Sequence, residues 1–135
     1  MKGPHLLDTS VASYIIKGNV PSVDRWLAKV PVADVFISTV TEAELRYGVA
    51  RLPDATRLGT LVEDFLRTVT ILPWDSEAAK QYGLLRSTLE REGRPMGNLD
   101  MMIGAHALAV GAVLVTNDRA FTRIKNLKLA NWMKA

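Results

Sequence analysis

The amino-acid sequence predicts an α/β fold, a three-layer α/β/α domain with a central parallel sheet of four to five strands. Short apolar segments alternate along the chain with segments whose apolar residues recur at helical spacing, as in a parallel sheet covered by helices. The segment Val35–Ser38 begins with an unbroken apolar run, which is typical of a strand buried on both faces. No repeat, low-complexity tract or long linker interrupts the sequence, so we expect one domain over residues 1–135.

The first half of the chain predicts strands and helices in alternation. Gly18 favours the end of the first helix, because glycine readily adopts the left-handed conformation found there. Pro53 suits the first turn of a later helix. In order, the predicted elements are a strand at 5–8, a helix capped by Thr9 or Ser10 and reaching about Lys17, a helix from Ser22 to Lys29, a strand at 35–38, a helix from Thr39 or Thr41 to about Arg51, and a helix that starts at Pro53.

The second half continues the pattern and contains the most apolar helix of the chain. That helix, Leu99–Val110, is apolar nearly all round, so we expect it to be central. In order, the predicted elements are a strand at Val69–Leu72, a long helix capped by Asp75 and closed by Gly93, the apolar helix capped by Asn98, a strand at Ala112–Thr116, a short helix opened by Asp118, and an edge strand at Leu127–Ala130.

Composition excludes several classes of protein. The chain has no cysteine, so neither a disulfide framework nor a thiolate metal site can form. The N-terminus lacks the apolar run of a signal peptide. The most membrane-like stretch, Met101–Val115, is divided by Gly111 and is shorter than the roughly 20 residues that a bilayer requires. We therefore expect a soluble, cytoplasmic protein that does not associate with membranes.

The C-terminal segment is basic. From Arg119 onward it contains five Lys or Arg residues and no Asp or Glu, within a chain of net charge +3. A segment of this kind favours polyanions through counterion release. A solvated surface with chance clustering of charge is the alternative.

Four carboxylates fall where a parallel sheet would bring them together. Asp8 ends the first strand, Asp118 follows the fourth by two residues, and Glu44 lies early in the helix after the second strand. These places share the carboxyl edge of the sheet, where α/β proteins bind ligands. Asp100 lies in the first turn of the apolar helix. It reaches the same edge of the sheet if the loop before that helix crosses this edge. Singly, these acids could only cap helices, complement a helix dipole or face solvent.

Together, the acids predict a metal site. Uncompensated, they would repel one another and at least one would take up a proton. A divalent cation removes that conflict, and Mg²⁺ prefers oxygen ligands, with Mn²⁺ as a substitute. Such a site suits phosphodiester hydrolysis by one ion or two. No nucleophilic triad or phosphate-binding loop competes, and His106, within the apolar helix, is interpreted as structural.

Helical geometry favours Glu44 over Glu42 for this site. The two side chains point about 200° apart. On the expectation that Val40, Ala43, Tyr47 and Ala50 form the core side of the helix, Glu44 borders that side and Glu42 lies nearly opposite. Leu45 and Val49 would then lie away from the core. They could pack under the Pro53 helix, which we favour, or form a surface for a dimer or for another protein partner.

The sequence resembles the PIN-domain nucleases, and most closely the VapC toxins of bacterial type II toxin–antitoxin pairs. The resemblance covers essentially the whole chain and implies a PIN-like fold. It rests on segments that match the family's motifs in order, namely His5–Ser10, Ser38–Gly48, Gly93–Asp100 continuing into Ala105–Ala107, Val113–Asp118 with Phe121, and Asn131–Trp132.

The resemblance also implies roles for individual residues. Asp8, Glu44, Asp100 and Asp118 match the family's acidic metal-site residues, Asp118 at the most variable position. Thr116 matches a supporting hydroxyl residue, and Ser10 could act likewise. Two positions depart from the common pattern. Ser10 stands where relatives often have Asn, and Gly104 stands where Ala is usual, which predicts a slightly less stable helix.

What the resemblance implies about activity is specific. It implies cleavage of RNA, inhibition of translation, a small antitoxin that occludes the site, and a homodimer. The subgroup that the chain most resembles cuts initiator tRNA in its anticodon stem-loop. Arg94, Arg119 and Arg123 are the candidate contacts to the RNA backbone.

Two other functions remain as alternatives. One is a non-catalytic RNA-binding or interaction module on the same scaffold, in which the acids serve only as caps. The other is a phosphatase of the haloacid-dehalogenase kind, which by resemblance requires a second Asp where this chain has Ser10.

Overall fold

A five-stranded, fully parallel sheet forms the centre of the protein. The computed structural model describes residues 3–54 and 56–134, so residues 1, 2, 55 and 135 of the predicted domain lie outside the described part. The strands are β1 (His5–Leu7), β2 (Val35–Ser38), β3 (Thr70–Leu72), β4 (Val113–Val115) and β5 (Leu129–Ala130). Their spatial order is β3-β2-β1-β4-β5. The predicted parallel sheet of four to five strands is confirmed.

Helices cover both faces of this sheet. The α-helices are α1 (Thr9–Lys17), α2 (Pro21–Leu27), α3 (Thr39–Ala50), α4 (Thr56–Thr68), α5 (Ser76–Arg91) and α6 (Asn98–Val110), and short 3-10 helices cover Val32–Asp34 and Arg119–Arg123. None of the helices in the described ranges has the length and apolar character needed to cross a bilayer.

The two faces of the sheet bury separate cores. Leu6 and Leu7 are adjacent in β1, point to opposite faces and are both fully buried. Leu6 belongs to the core beneath α5 and α6, whereas Leu7 belongs to the core beneath α1, α2 and α4. Burial on both sides explains why the strands consist of continuous apolar runs, and it confirms the three-layer prediction.

Several helix starts differ from the predictions. Asp8 caps α1, rather than Thr9 or Ser10, by accepting a hydrogen bond from the Val11 amide. Helix α6 already begins at Asn98, with Gly97 at the cap position and no side-chain cap. In both cases the cap residue precedes the one that the polar sequence pattern suggested.

The helix predicted to start at Pro53 begins at Thr56. Pro53 lies instead in the turn that follows α3. Proline disfavours helical backbone in the preceding residue, so α3 must end before it. The predicted cap of α5 by Asp75 and the left-handed end of α1 at Gly18 are confirmed.

The predicted core side of α3 is wrong in part. Val40 is buried, but Ala43 and Ala50 are exposed and the Tyr47 side chain is 68% exposed. Leu45 is buried instead and belongs to the same core as Val62 and Phe65 of α4. This agrees with the favoured interpretation that Leu45 packs beneath the neighbouring helix, because α4 supplies a second apolar surface against α3.

Gly104 has a packing role that was not predicted. A Cβ atom at this position would lie 2.6 Å from the Ile124 Cδ1 atom, well inside contact distance. Glycine therefore lets the buried Ile124 side chain approach the α6 backbone. Close packing against the segment after Phe121 offsets part of the lower helix propensity of glycine.

Candidate active site

The carboxyl ends of β1 and β4 form the crevice of the sheet. From β1 the chain proceeds outward to β2 and β3, then returns to add β4 on the other side of β1 and β5 beyond it. The direction of strand addition reverses between β1 and β4, and α/β sheets bind ligands at such a point. The Asp8 amide donates to the Val115 carbonyl across this junction, at 3.0 Å.

Asp8 is the most firmly held of the predicted acids. Its residue surface is only 5% exposed. One carboxylate oxygen, Oδ1, accepts a hydrogen bond from the Val11 amide at 2.8 Å, and Oδ2 accepts one from the Thr116 hydroxyl at 2.5 Å. Asp8 therefore both caps α1 and presents a carboxylate at the crevice.

Thr116 links Asp8 to Asp118. The Thr116 oxygen accepts a hydrogen bond from the Asp118 amide at 3.0 Å while its hydroxyl hydrogen is donated to Asp8. The exposed Asp118 carboxylate in turn accepts a hydrogen bond from the Ala120 amide at 2.9 Å and caps the short 3-10 helix. The two acids that follow strands are thus connected through one buried hydroxyl group.

Glu44 reaches the same crevice from α3. Its Oε1 atom accepts a hydrogen bond from the Thr9 hydroxyl at 2.5 Å. Glu42 instead forms a salt bridge with Arg46, at 2.9 Å, on the outer side of the helix. The choice of Glu44 over Glu42 agrees with this placement, although the core side invoked for it was partly wrong.

Thr9 is a site residue that sequence reasoning missed. Besides Glu44, its oxygen lies 3.2 Å from the Thr41 hydroxyl oxygen, which joins the first turns of α1 and α3. The available indication was its position directly after Asp8, which brings it to the same edge of the sheet. Ser10, by contrast, is exposed and has no side-chain hydrogen bond within the described residues, so the structure gives no sign of the supporting contact expected of it.

Asp100 completes the group from the first turn of α6. It is half-buried, and its side chain has no hydrogen bond to another described residue. Burial raises the pKa of Asp100, and the nearby carboxylates of Asp118, Glu44 and Asp8 raise it further. The repulsion shows that all four predicted acids face one region.

The buried position of Asp8 has an electrostatic cost. Burial raises the pKa of Asp8 above its ordinary value, and repulsion from Asp118 and Glu44 adds to the increase. The hydrogen bonds from Thr116 and Val11 favour the charged form and oppose the increase. Among the described residues, none of the four carboxylates of the crevice forms a salt bridge, which is the situation that a bound cation relieves.

The donor set fits a hard divalent cation. In the described part of the chain, no three acidic or histidine side chains lie close enough together to form a complete ligand set for one ion. The side chains identified at the crevice offer carboxylate and hydroxyl oxygens. Mg²⁺ commonly binds through one or two carboxylates and keeps several waters, so it needs no complete protein cage.

The three predicted RNA-binding arginines have different surroundings. Arg94 is exposed in the loop before α6. Arg119 is also exposed and lines a cleft of about 580 Å³ beside Asp118, together with Asn131 and Lys134. Arg123 donates a hydrogen bond to the Pro95 carbonyl at 2.6 Å, so it also holds the loop that leads to α6.

His106 is structural in its surroundings. It is almost fully buried, and its Nδ1 atom lies 2.8 Å from the Ser38 hydroxyl oxygen. That oxygen also accepts a hydrogen bond from the Val40 amide at the start of α3. Burial lowers the pKa of His106. A neutral imidazole therefore connects α6, which carries Asp100, to the cap of α3, which carries Glu44.

The structure is therefore an α/β domain with a carboxylate-lined crevice. The crevice lies at the switch point of the sheet, where the direction of strand addition reverses. The family model described as "PIN domain" matches residues 5–127. The matched region contains every acid of the crevice. The chain belongs to the PIN domain family.

Within that family, the similarity is to VapC proteins. The chain is 35% identical over 128 residues to a "tRNA(fMet)-specific endonuclease VapC" of Shigella flexneri, covering 94% of this chain and 96% of the relative. It is also 35% identical over 132 residues to a "Ribonuclease VapC2" of Rickettsia felis, covering 96% and 98% of the two chains.

Solved structures give the same relationship. A chain of the DNA-bound VapBC structure from Salmonella typhimurium superposes with a TM-score of 0.90 at 32% identity, covering 97% of this chain and 99% of that chain. A chain of VapBC2 from Rickettsia felis, bound to a promoter DNA fragment, gives a TM-score of 0.87 at 33% identity, covering 95% and 98%. The predicted PIN-like fold is confirmed.

Proposed function

We propose that this protein is a Mg²⁺-dependent endoribonuclease that acts as the toxin of a toxin–antitoxin pair and inhibits translation by cleaving RNA. One observation carries the proposal, namely the convergence of Asp8, Glu44, Asp100 and Asp118 on the switch point of the sheet. The names of two relatives, a ribonuclease and a tRNA endonuclease, support it.

In this mechanism Asp8, Glu44 and Asp100 hold the ion, directly or through water, and Asp118 positions the ion or the attacking water. The bound ion supplies Lewis-acid polarisation of the phosphoryl group and a lowered pKa for a water molecule. The hydroxyl groups of Thr116 and Thr9 orient the carboxylates that they contact. Mn²⁺ is the expected substitute ion.

The RNA substrate binds mainly through its phosphate groups. Arg119, in the cleft beside Asp118, and Arg94, in the loop before α6, are both exposed. Contacts from them to phosphate oxygens would fix the strand without reading its sequence. We propose initiator tRNA, cut in its anticodon stem-loop, as the substrate. The support is the similarity to the tRNA(fMet)-specific endonuclease of Shigella flexneri. Mapping the cleavage ends in total RNA after brief expression tests the assignment, and ends confined to other RNAs would refute it.

The proposal includes protein partners. The similar solved structures are of VapBC complexes, which supports a cognate antitoxin as the partner of this chain. A homodimer remains a prediction from family resemblance, and its test is the mass of the purified protein in solution. We further propose that residues 1–135 act as a single nuclease domain in the cytoplasm, where the RNA substrates of a translation inhibitor are found.

Metal titration and RNA cleavage, measured on the same variants, test the central proposal. Calorimetry with Mg²⁺ should show a saturable site in the native protein and none, or a much weaker one, in Asp100→Asn. Glu42→Gln is the matched control, because Glu42 contacts Arg46 outside the crevice. Full metal-dependent cleavage by a folded Asp100→Asn protein contradicts the mechanism. A native protein that binds RNA but no ion would instead support the non-catalytic RNA-binding module.

A further inference from the structure

The crevice has a second, chemically different flank. A groove of about 670 Å³ lies between the side of α3 that carries Glu44 and Tyr47 and the first turns of α6. Glu44 and Thr9 line both this groove and the acid crevice, so the two are continuous. The walls of the groove are mainly apolar, and their principal contributors are Tyr47, Leu99 and Met102.

Two exposed apolar side chains make the groove unusual. The Tyr47 side chain is 68% exposed and that of Leu99 is 48% exposed, and they belong to different helices. A single exposed hydrophobic residue is ordinary. An aromatic ring that faces a leucine and a methionine across an open groove is instead a surface on which a flat, apolar ring can be inserted.

A cation lies at the far end of the same groove. Arg51 lines it one helical turn beyond Tyr47, is exposed, and forms no salt bridge with any acid among the described residues. From Glu44 to Arg51 the helix rises by roughly 10 Å. Along that line the groove therefore presents a carboxylate at the crevice, then an aromatic ring, then a positive charge.

We propose that this groove binds one nucleotide of the RNA substrate next to the scissile phosphate, with its base stacked on Tyr47 and its phosphate held by Arg51. The inference rests on the proposed function, because it takes the crevice as the cleavage site. Base and phosphate are the complement of this surface, since every nucleobase has an apolar ring face and every linkage carries a negative charge. Stacking is independent of base identity, so the groove would position the strand rather than read its sequence.

The test combines Tyr47 variants with RNA oligonucleotides that lack one base at a time. For the native protein, an abasic nucleotide at one position beside the cleavage site should lower kcat/KM by about tenfold or more. Tyr47→Leu should show a similar loss on intact RNA and should no longer respond to the abasic position, whereas Tyr47→Phe should behave like the native protein. Leu84→Ser, which changes a 66% exposed residue of α5, is the control.

A binding measurement separates this inference from the nuclease proposal. In the Asp100→Asn background, the fluorescence of a 2-aminopurine base next to the cleavage site should be quenched on binding, and Tyr47→Leu should abolish the quenching. If the native protein cleaves no RNA, the 2-aminopurine base is placed at each position of the oligonucleotide in turn. Quenching at any position that depends on Tyr47 still supports the subsite, and its absence at every position refutes it. If Tyr47→Leu cleaves intact RNA and responds to abasic positions as the native protein does, the inference is overturned. A Tyr47→Leu protein that has lost only its affinity for a protein partner also overturns it.

Discussion

The acid crevice is built from two halves that are held in different ways. Asp8 and Asp118 follow strands, and each carboxylate caps a helix through a backbone amide within three residues of it. Glu44 and Asp100 project from helices α3 and α6. Glu44 depends on a hydroxyl group 35 residues away in the chain, and Asp100 has no side-chain hydrogen bond among the described residues.

The difference shows which half is preorganised. The strand half is fixed by local turn geometry and by the buried Thr116 hydroxyl, so its carboxylates are in place without an ion. The helix half is positioned by the placement of α3 and α6 relative to each other, in which the contact between His106 and Ser38 takes part. We therefore expect the strand half to be rigid and the helix half to adjust when an ion binds.

Removing one charge from each half should give the largest effects. Asp8→Asn and Asp100→Asn should each lower RNA cleavage by more than about 100-fold. This exceeds the loss usually caused by removing a residue that only hydrogen-bonds a metal ligand. Their effects on the metal-free protein should differ. Asp100→Asn removes a repelled charge that has no hydrogen bond, so its Tm should increase, by roughly 3 °C for each kcal/mol of repulsion relieved.

Asp8→Asn should bring no such increase in Tm. The side-chain amide oxygen of this variant must still accept the hydrogen bond from the Val11 amide. The NH₂ group then faces the Thr116 oxygen, where the native protein has a carboxylate oxygen that accepts a hydrogen bond. Thr116 would lose the acceptor of its own hydroxyl hydrogen. Thermal unfolding in the presence of a chelator measures both variants, and an equal increase in both would refute the distinction between the halves.

The supporting hydroxyl groups should have unequal effects. Thr116→Val leaves a buried Asp8 oxygen without its donor, so Mg²⁺ affinity and cleavage should fall by roughly 10- to 100-fold. Thr9→Val should cost less, because the half-buried Glu44 can exchange the lost hydrogen bond for water. Thr60→Val is the control, since Thr60 bonds only to the backbone of its own helix α4. A greater loss in Thr9→Val than in Thr116→Val would reverse the assignment of the rigid half.

The sequence predicted the strand half of the site more completely than the helix half. Asp8 and Asp118 were placed by the ends of two apolar strands, a local pattern. The preference for Glu44 agrees with its position at the crevice, but the predicted core side of α3 was wrong because α4 buries Leu45, and only tertiary packing shows this. Thr9 was missed for a similar reason, since its partner Glu44 lies on another helix. Local patterns predict caps and strand ends, but not which side of a helix a distant element covers.

Breaking the contact between α3 and α6, the two helices of the helix half, should have a smaller and indirect effect. Ser38→Ala removes the α3 cap and leaves His106 without its partner, which should lower the free energy of unfolding by about 1–3 kcal/mol. Mg²⁺ affinity should fall a few-fold, because Glu44 and Asp100 lose their relative alignment. Asp75→Ala, which removes the cap of α5, should cost a similar cap energy without changing Mg²⁺ affinity. Equal Mg²⁺ affinity in both variants would show that the link does not position the acids.

The smallest expected effect is the pH dependence of the metal-free protein. The pKa of Asp8 and the pKa of Asp100 are both raised in the folded state, chiefly by burial. Groups of this kind contribute stability that is complete below their ordinary pKa, near 3.8, and is lost as the pH increases through the raised folded pKa values. The Tm of the native protein relative to that of Asp100→Asn should therefore decrease by a few degrees from about pH 4 upward. Saturating Mg²⁺ should reverse the trend, because the ion binds the charged carboxylates, and an unchanged difference in Tm between the two proteins from pH 4 to 7 would contradict the raised pKa values.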